Sequence, residues 1–547
     1  MEHPTVPTEL TPVANNERIQ ALDVVRGFAL IGILMMNVEF FNRATADIGN
    51  GIPAGLTGAN FWVSYFVQYF VTGKFWTIFS LLFGMGFAVM LTRAERAGRG
   101  FVVPYMRRIA ALAAFGIMHH IFLFAGDILV SYSVAAVALL IVLYGRAKWI
   151  LLAMALCIAG GIVFDMKWLF GQAAGLAFFG VVAWWLRGEQ RMKRFGKPPV
   201  IAFILMLIGL LLMLGGAAAW AAPNVPKEAR IGLPILGFAL FALGFLTKRH
   251  HADKPGRAWR LGVGIYCFSF FMMTAAGASM YFLPEKPVAA VTKEQIKKEK
   301  EQTAEREKMR KEREERVKKE TAVLSKGSYS EAVALRAEAF PEQAAGEVGF
   351  ATILVGMFLI GTWFVRSGVM EKAQAHLPLF RKLALFGLPI GIGMGLIASA
   401  IATHPTPGSH GADGFQFAMG LQMLGNLPAS LGYVSLVILM LYSASPLNKV
   451  SVLAPFGRMA LTNYLTQSLV ASTFFFGYGF GNWGISRIDQ MLFVVVLAAA
   501  QIVFSHVWLS RFRYGPVEWL WRAITYWTIP PMRIGASAPA AAVAKPA

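Results

Sequence analysis

Cysteine is nearly absent: the 547 residues hold two, Cys157 and Cys267. Both lie in apolar runs, and two lone thiols offer neither a disulfide framework nor a metal-binding spacing. Acidic residues are also scarce, with 30 Asp and Glu against 51 Lys and Arg, which leaves a net charge of +21. The chain has no phosphate-loop lysine motif, no Gly-rich dinucleotide fingerprint and no His-Glu motif of the zinc proteases. Residues 1–16 are polar, contain proline and lack the basic opening of a cleavable signal peptide. Residues 1–17 therefore read as a flexible N-terminus.

What the chain has in excess is apolar surface. Hydrophobic residues make up 56% of it and the mean hydropathy is +0.55. A chain this apolar reads as all-α, a polytopic bundle of transmembrane helices. The apolar runs are continuous rather than alternating, which argues against a closed β-barrel. The positive charge sits in short loops between those runs, as the positive-inside rule requires, so nucleic acid is not the expected partner and the lipid bilayer is. Counted by length, there are about fourteen spans, and alternate loops are the basic ones, which puts both termini in the cytoplasm.

The organisation follows from composition. Residues 18–283 form an N-terminal transmembrane half and 347–533 a C-terminal half. Between them, 284–346 is a charged insertion outside the membrane, helical or disordered, and 534–547 is an Ala/Pro-rich disordered tail. The run 61–91 is longer than one span, and Gly73 and Lys74 interrupt it.

A few polar groups fall where a plain anchor has none. Asp23 and Arg26 stand one turn apart at the entry of the first span, with Asn37 and Glu39 near its exit. Such groups face protein or a water-filled cavity, or else reach the interface as snorkelling side chains. His119 and Asp127 lie in one stretch, where a neutral imidazole can take and return a proton. The alternative makes His119 a packing residue and Asp127 a cap on the next helix. His404, His410 and Asp413 share an outer loop but lack a compact metal-ligand spacing, so no metal is expected. In the span after Arg458, Asn463 and Gln467 are four apart, placed either for interhelical hydrogen bonds or for substrate contact. Arg26, Arg107, Arg108 and Arg458 are the cations available to the phosphates of a cytoplasmic cofactor. The stretch 511–522, rich in Trp and Arg, reads as an interfacial helix.

Five stretches together resemble a known family. They are Leu22-Asp-Val-Val-Arg-Gly-Phe-Ala-Leu-Ile-Gly-Ile-Leu-Met-Met-Asn37, Phe79-Ser-Leu-Leu-Phe-Gly-Met-Gly-Phe87, His119 with Gly126-Asp-Ile-Leu129, Gly457-Arg-Met-Ala-Leu-Thr-Asn-Tyr464 and Gly515-Pro-Val-Glu-Trp-Leu-Trp-Arg522. The sequence resembles the YeiB-like family of bacterial inner-membrane proteins, domain of unknown function 418, with the insertion and tail outside the likeness. That family is distantly similar to membrane acyltransferases of sugars and polysaccharides, whose first span also opens with a Leu-Asp-x-x-Arg pattern. The resemblance implies a multi-pass protein of the bacterial cytoplasmic membrane that moves an acyl group from acetyl-CoA or another acyl-CoA to a small-molecule or glycan acceptor. The O-acyltransferase relatives place a His where this chain has Asn37; the lysosomal glucosamine acetyltransferase branch resembles this chain in having Asn there.

Three functions remain open to the sequence. In a membrane acyltransferase, His119 is the base, Asn37 an oxyanion donor, Asp127 the orienting acid, Arg26, Arg107, Arg108 and Arg458 hold the donor, and Asn463 and Gln467 contact the acceptor. In a transporter or channel, the same buried polar groups line a path for a small polar solute. In a scaffold, they are satisfied pairwise and the charged insertion recruits a partner.

Overall fold

The structure, a computed structural model, describes residues 18–188, 199–221, 227–282, 293–406, 408–409 and 411–535. The expected flexible N-terminus, His410 and nearly all of the expected tail lie outside the described residues. Among the described residues there is no strand; an isolated bridge joins Phe512 and Arg533. Hydrocarbon offers no partner to an unpaired peptide group, so an apolar chain closes its own backbone bonds in helices.

The N-terminal half runs α1 (Gln20–Asn37), α2 (Gly58–Phe66), α3 (Lys74–Arg96), α4 (Val102–Phe122) and α5 (Leu129–Tyr144). It continues with α6 (Ala147–Val163), α7 (Trp168–Arg187), α8 (Val200–Ala221), α9 (Lys227–His250) and α10 (Arg257–Phe282). Then come α11 (Lys293–Lys326) and α12 (Tyr329–Arg366). The C-terminal half holds α13 (Leu377–Ile401), α14 (Phe415–Leu441), α15 (Leu453–Arg458), α16 (Ala460–Phe475), α17 (Arg487–Arg511) and α18 (Pro516–Tyr526). Among the described residues, ten helical stretches are long and apolar enough to cross a bilayer, and α5 and α6 are shorter apolar helices. The sequence count of about fourteen is reached only when α4 and α16 are added to these; α4 carries two arginines and α16 has 16 residues, which keeps both from qualifying on length and hydropathy alone.

Contacts at helix ends sort the bundle into a basic end and an opposite end. At the basic end, Arg366 meets Glu95 at 3.4 Å and Arg257 bonds the last carbonyls of α7, Leu186 O and Gly188 O, at 3.4 and 3.2 Å. At the opposite end, the Asn42 side chain accepts from Gly484 N and Ile485 N, both at 3.0 Å, and Arg313 of α11 bonds Ala46 O. Small residues let helices close to backbone contact: a Cβ on Gly84 of α3 would strike Phe358 O of α12, and one on Gly457 would strike Asp23 O of α1. Large apolar side chains such as Leu156, Ile162, Leu211, Phe386 and Val495 face outward, the surface that a lipid bilayer covers.

Two expectations meet the structure directly. The interrupted run 61–91 is α2, one π-helical turn over Val67–Val71, and α3, with Gly73 at φ 85° at the break. Only glycine adopts that conformation without strain. The insertion is helical where described, but the expected boundary at 346–347 falls inside α12, an unbroken helix of 38 residues. Ser328 and Glu331 form a reciprocal capping box that starts α12 well before its apolar part. Nor is the insertion detached. Its Leu324 and Ala332 are buried in a core cluster with Leu34, Phe41, Phe124 and Phe475.

Candidate functional site

The helix α4 ends at Phe122, and the loop that follows turns the chain back into α5. Asp127 sits in that loop with two tasks. Its Oδ2 accepts from the N–H groups of Leu129 and Val130 at 2.8 and 3.1 Å, capping α5, and its Oδ1 lies 2.7 Å from His119 Nδ1. The approach depends on Gly116, one turn before His119, where a Cβ would come within 3.0 Å of Asp127 Oδ2. Asp127 thus caps a helix and at the same time stands within hydrogen-bond distance of a histidine. His119 lies in the last turn of α4.

With Asp127 on Nδ1, the neutral tautomer of His119 that satisfies the contact carries its hydrogen there and has its lone pair on Nε2. That Nε2 is buried without a hydrogen-bond partner, and the buried hydroxyl of Tyr464 lies beside Asp127 and the Ile128 backbone without a well-formed hydrogen bond. The two rings pack with centroids 5.0 Å apart. A base oriented by an acid, with its reactive nitrogen unengaged, is the arrangement that proton transfer from a hydroxyl or amine needs.

Two cavities meet at Tyr464. The inner one, about 220 Å³, opens at the basic end among Arg18, Arg26, Arg108, Arg458 and Arg522, with Glu518 the only carboxylate among the described residues on its lining. Its walls are apolar, chiefly Phe79, Phe83, Phe87 and Leu112, and it ends at Ile33, Ile128, Tyr132 and Tyr464. The outer one, about 190 Å³, is lined by polar groups including Asn37, Glu39, Arg43, Gln68, Thr72 and Gln422, and shares Ile33, Ile128 and Tyr464 with the inner cavity. His119 lines neither; Tyr464 and Ile128 stand between the dyad and both spaces.

The arginines are held by a framework. Asp23 takes Arg26 at 2.9 Å and Arg18 at 3.2 Å. Arg108 lies 3.7 Å from the centre of the Trp521 ring, whose Nε1 donates to Arg108 O at 2.9 Å. Glu518 of α18 accepts from Leu461 N, Thr462 N and Thr462 Oγ1 at 2.6, 3.0 and 2.5 Å, capping α16 at its positive end. Burial pushes the Glu518 carboxyl up, and the bonds from Thr462 and Leu461 pull it back. Burial, with the Arg18 charge beside it, pulls Arg458 and Arg522 below the usual guanidinium range. Five cations around so few carboxylates form an anion site, and the Nε of Arg458 is buried with no partner of its own.

The remaining expected residues divide. Arg26, Arg108 and Arg458 line the inner cavity and Asn37 the outer one. Arg107 turns away and stacks on Trp527 at 5.2 Å, because it precedes the cavity residue Arg108 by about 100° of rotation on α4. Asn463 and Gln467 line neither of the two cavities. Asn463 Nδ2 donates to Phe456 O and Ser505 Oγ at 3.1 and 3.0 Å, and Gln467 Nε2 to Gln501 Oε1 at 2.9 Å, which joins α16 to α17. Their spacing placed them on one face, and that face packs against a helix. Among the described residues no group of three His, Cys, Asp or Glu could hold a metal ion. Tyr464, Glu518 and Arg522, which complete the site, were legible only as parts of family motifs.

Residues 364–528 match a family model described as protein of unknown function (DUF418). That match contains Arg458, Tyr464, Glu518 and Arg522. The chain is 24% identical over 526 residues to the uncharacterized protein YxaH of Bacillus subtilis (strain 168), covering 95% of this chain and 97% of that one. It is 26% identical over 514 residues to the uncharacterized protein YeiB of Escherichia coli (strain K12), covering 93% and 96%. No solved structure matches the chain.

Proposed function

We propose that this chain, which belongs to the YeiB-like DUF418 family, is a membrane acyltransferase that carries an acyl group from an acyl-CoA to a hydroxyl- or amine-bearing acceptor such as a sugar. The basic end faces the cytoplasm of a bacterium and the outer cavity faces the other side of its inner membrane. One observation carries the reading: an arginine-rimmed cavity and a polar cavity end on the same tyrosine, and that tyrosine packs against a His–Asp dyad.

Arg26, Arg108, Arg458 and Arg522 hold the donor's phosphates, and the apolar throat takes its acyl thioester. A shift of the Tyr464 side chain brings His119 Nε2 to the acceptor. The imidazole takes the acceptor's proton as its oxygen or nitrogen bonds the thioester carbonyl carbon. The carbonyl oxygen gains negative charge, and the Tyr464 hydroxyl donates to it. Collapse breaks the carbon–sulfur bond, and the thiolate leaves with the proton returned by His119. Asp127 keeps Nδ1–H in place throughout. Asn37, on the far side of the wall, contacts the acceptor.

The test uses inverted vesicles containing the protein and radiolabelled acetyl-CoA, with label followed into lipid-linked sugar, glycan and protein fractions. Transfer by wild type that falls about 100-fold or more in His119→Ala, and is lost at low donor concentration in Arg26→Ala, is the expected result. Folded protein that neither binds CoA nor transfers label overturns the proposal. The break between α2 and α3, with Lys74 fully buried beside it, favours one other reading, a transporter for a small polar solute. Solute flux in the same vesicles without label transfer would establish it.

A further inference from the structure

The helices α8 and α9 pack tightly on each other and stand off the rest of the bundle. A Cβ on Gly209 of α8 would sit 2.6 Å from Gly237 O of α9, and one on Gly244 2.8 Å from Ala202 O, so their shared face is closed at backbone distance. The other face of α9 opens on a cavity of about 780 Å³ shared with α10, α13 and α14. Its walls are apolar: Phe238, Leu243 and Leu246 from α9, Phe268 from α10, Met394 from α13 and Leu427 from α14. None of the residues of the inner or outer cavity takes part in it.

One end of this space is basic. Arg257, Arg260, His250 and His251 line it there, and Trp259 lies at the same level, as an interfacial anchor does. The loop 248–260 that carries them holds five cations, Lys248, Arg249, Lys254, Arg257 and Arg260, against one carboxylate, Asp253. Asp253 bonds Arg260 Nη2 at 2.6 Å, while Arg260 Nη1 is buried with no hydrogen-bond partner. Arg257 is committed to carbonyls of His251, Leu186 and Gly188, which fixes its charge at the rim without neutralising it.

We propose that this cavity binds one glycerophospholipid with an anionic headgroup, taken from the leaflet at the basic end. In hydrocarbon, an apolar space of this size between helices fills with acyl chain, because an empty one forfeits its dispersion contacts. A headgroup phosphate supplies the acceptor that Arg260 Nη1 lacks, and the excess cationic charge selects an anionic lipid over a zwitterionic one. The lipid ties the α8–α9 hairpin to the bundle, and the claim is independent of acyl transfer.

Cys267 lines the same cavity and provides a built-in probe. Cys157→Ser leaves it the only thiol of the chain. In detergent, phosphatidylglycerol should slow alkylation of Cys267 by N-ethylmaleimide about fivefold more than phosphatidylcholine of the same chains does. Native mass spectrometry should retain one phosphatidylglycerol per chain. Arg260→Gln should erase the difference between lipids, and Leu243→Trp should remove the retained lipid. Equal protection by both lipids, or a preference that survives Arg260→Gln, overturns headgroup recognition. No protection by either lipid in protein that remains monodisperse on gel filtration overturns the site, as does a lipid retained undiminished in Leu243→Trp.

Discussion

Tyr464 is the residue on which the functional reading turns, and its hydroxyl makes a sharp test. It is buried, closes both cavities and lies beside Asp127 and the Ile128 backbone without completing a well-formed hydrogen bond to either. A hydroxyl with a structural role is bonded in the folded protein, and its removal lowers stability. One reserved for a developing oxyanion is not, and its removal lowers rate instead. Tyr464→Phe is therefore expected to leave the unfolding temperature unchanged while acyl transfer falls by roughly 100-fold, the usual effect of deleting one oxyanion donor. Thermal unfolding beside the vesicle assay separates the two, and an unchanged rate removes Tyr464 from the chemistry. At this scale the sequence was partly legible. His119 and Asp127 stand in one stretch, and a Gly-Asp turn before an apolar run marks a cap. What Asn463 and Gln467 face was not, because spacing fixes which residues share a helix face and leaves open what that face meets.

Among the elements, α12 shows how a charged insertion becomes part of the site's frame. Arg336, in its first half, donates from Nε to Ile121 O at 2.9 Å and from Nη2 to Phe122 O at 3.1 Å. Those carbonyls end the helix that carries His119, and a helix C-terminus leaves its last carbonyls without partners and carries partial negative charge. Arg336→Met keeps the packing volume and removes both bonds, a loss on the order of 2–3 kcal/mol. The expected outcome is a lower apparent unfolding temperature with reduced transfer, and partial recovery of both in Arg336→Lys. An unchanged unfolding temperature would make this contact incidental. Nothing in the sequence around Arg336 signals that role. The stretch 329–346 is amphiphilic and helix-forming, so composition marks it as non-membrane, and only the fold shows that it caps α4. The converse holds for α18, whose Trp and Arg residues read as an interfacial helix. Glu518 and Arg522 turn inward because Glu518 is the cap for α16.

Across the whole molecule, the two-ended character of the bundle follows from the chain's charge pattern, and it sets the direction of any transfer. The 38 residues of α12 measure about 57 Å at 1.5 Å per residue, far more than a hydrocarbon core of about 30 Å. Arg366 at its far end pairs with Glu95 among the basic loops, so the surplus length projects from the opposite end together with α11. If basic loops face the cytoplasm, α11 stands outside the membrane despite its own cations, as long polar segments do. Two single-thiol proteins test this in intact cells after Cys157→Ser and Cys267→Ser. Ala97, exposed in the turn after α3, and Ala304, exposed on α11, are each replaced by Cys. A membrane-impermeant maleimide added from outside should label the thiol of Ala304→Cys at once and that of Ala97→Cys only after lysis. The reverse pattern would turn the bundle over. The arginine-rimmed cavity would then open away from the cytoplasmic pool of acyl-CoA, and the proposed reaction would have no donor to draw on.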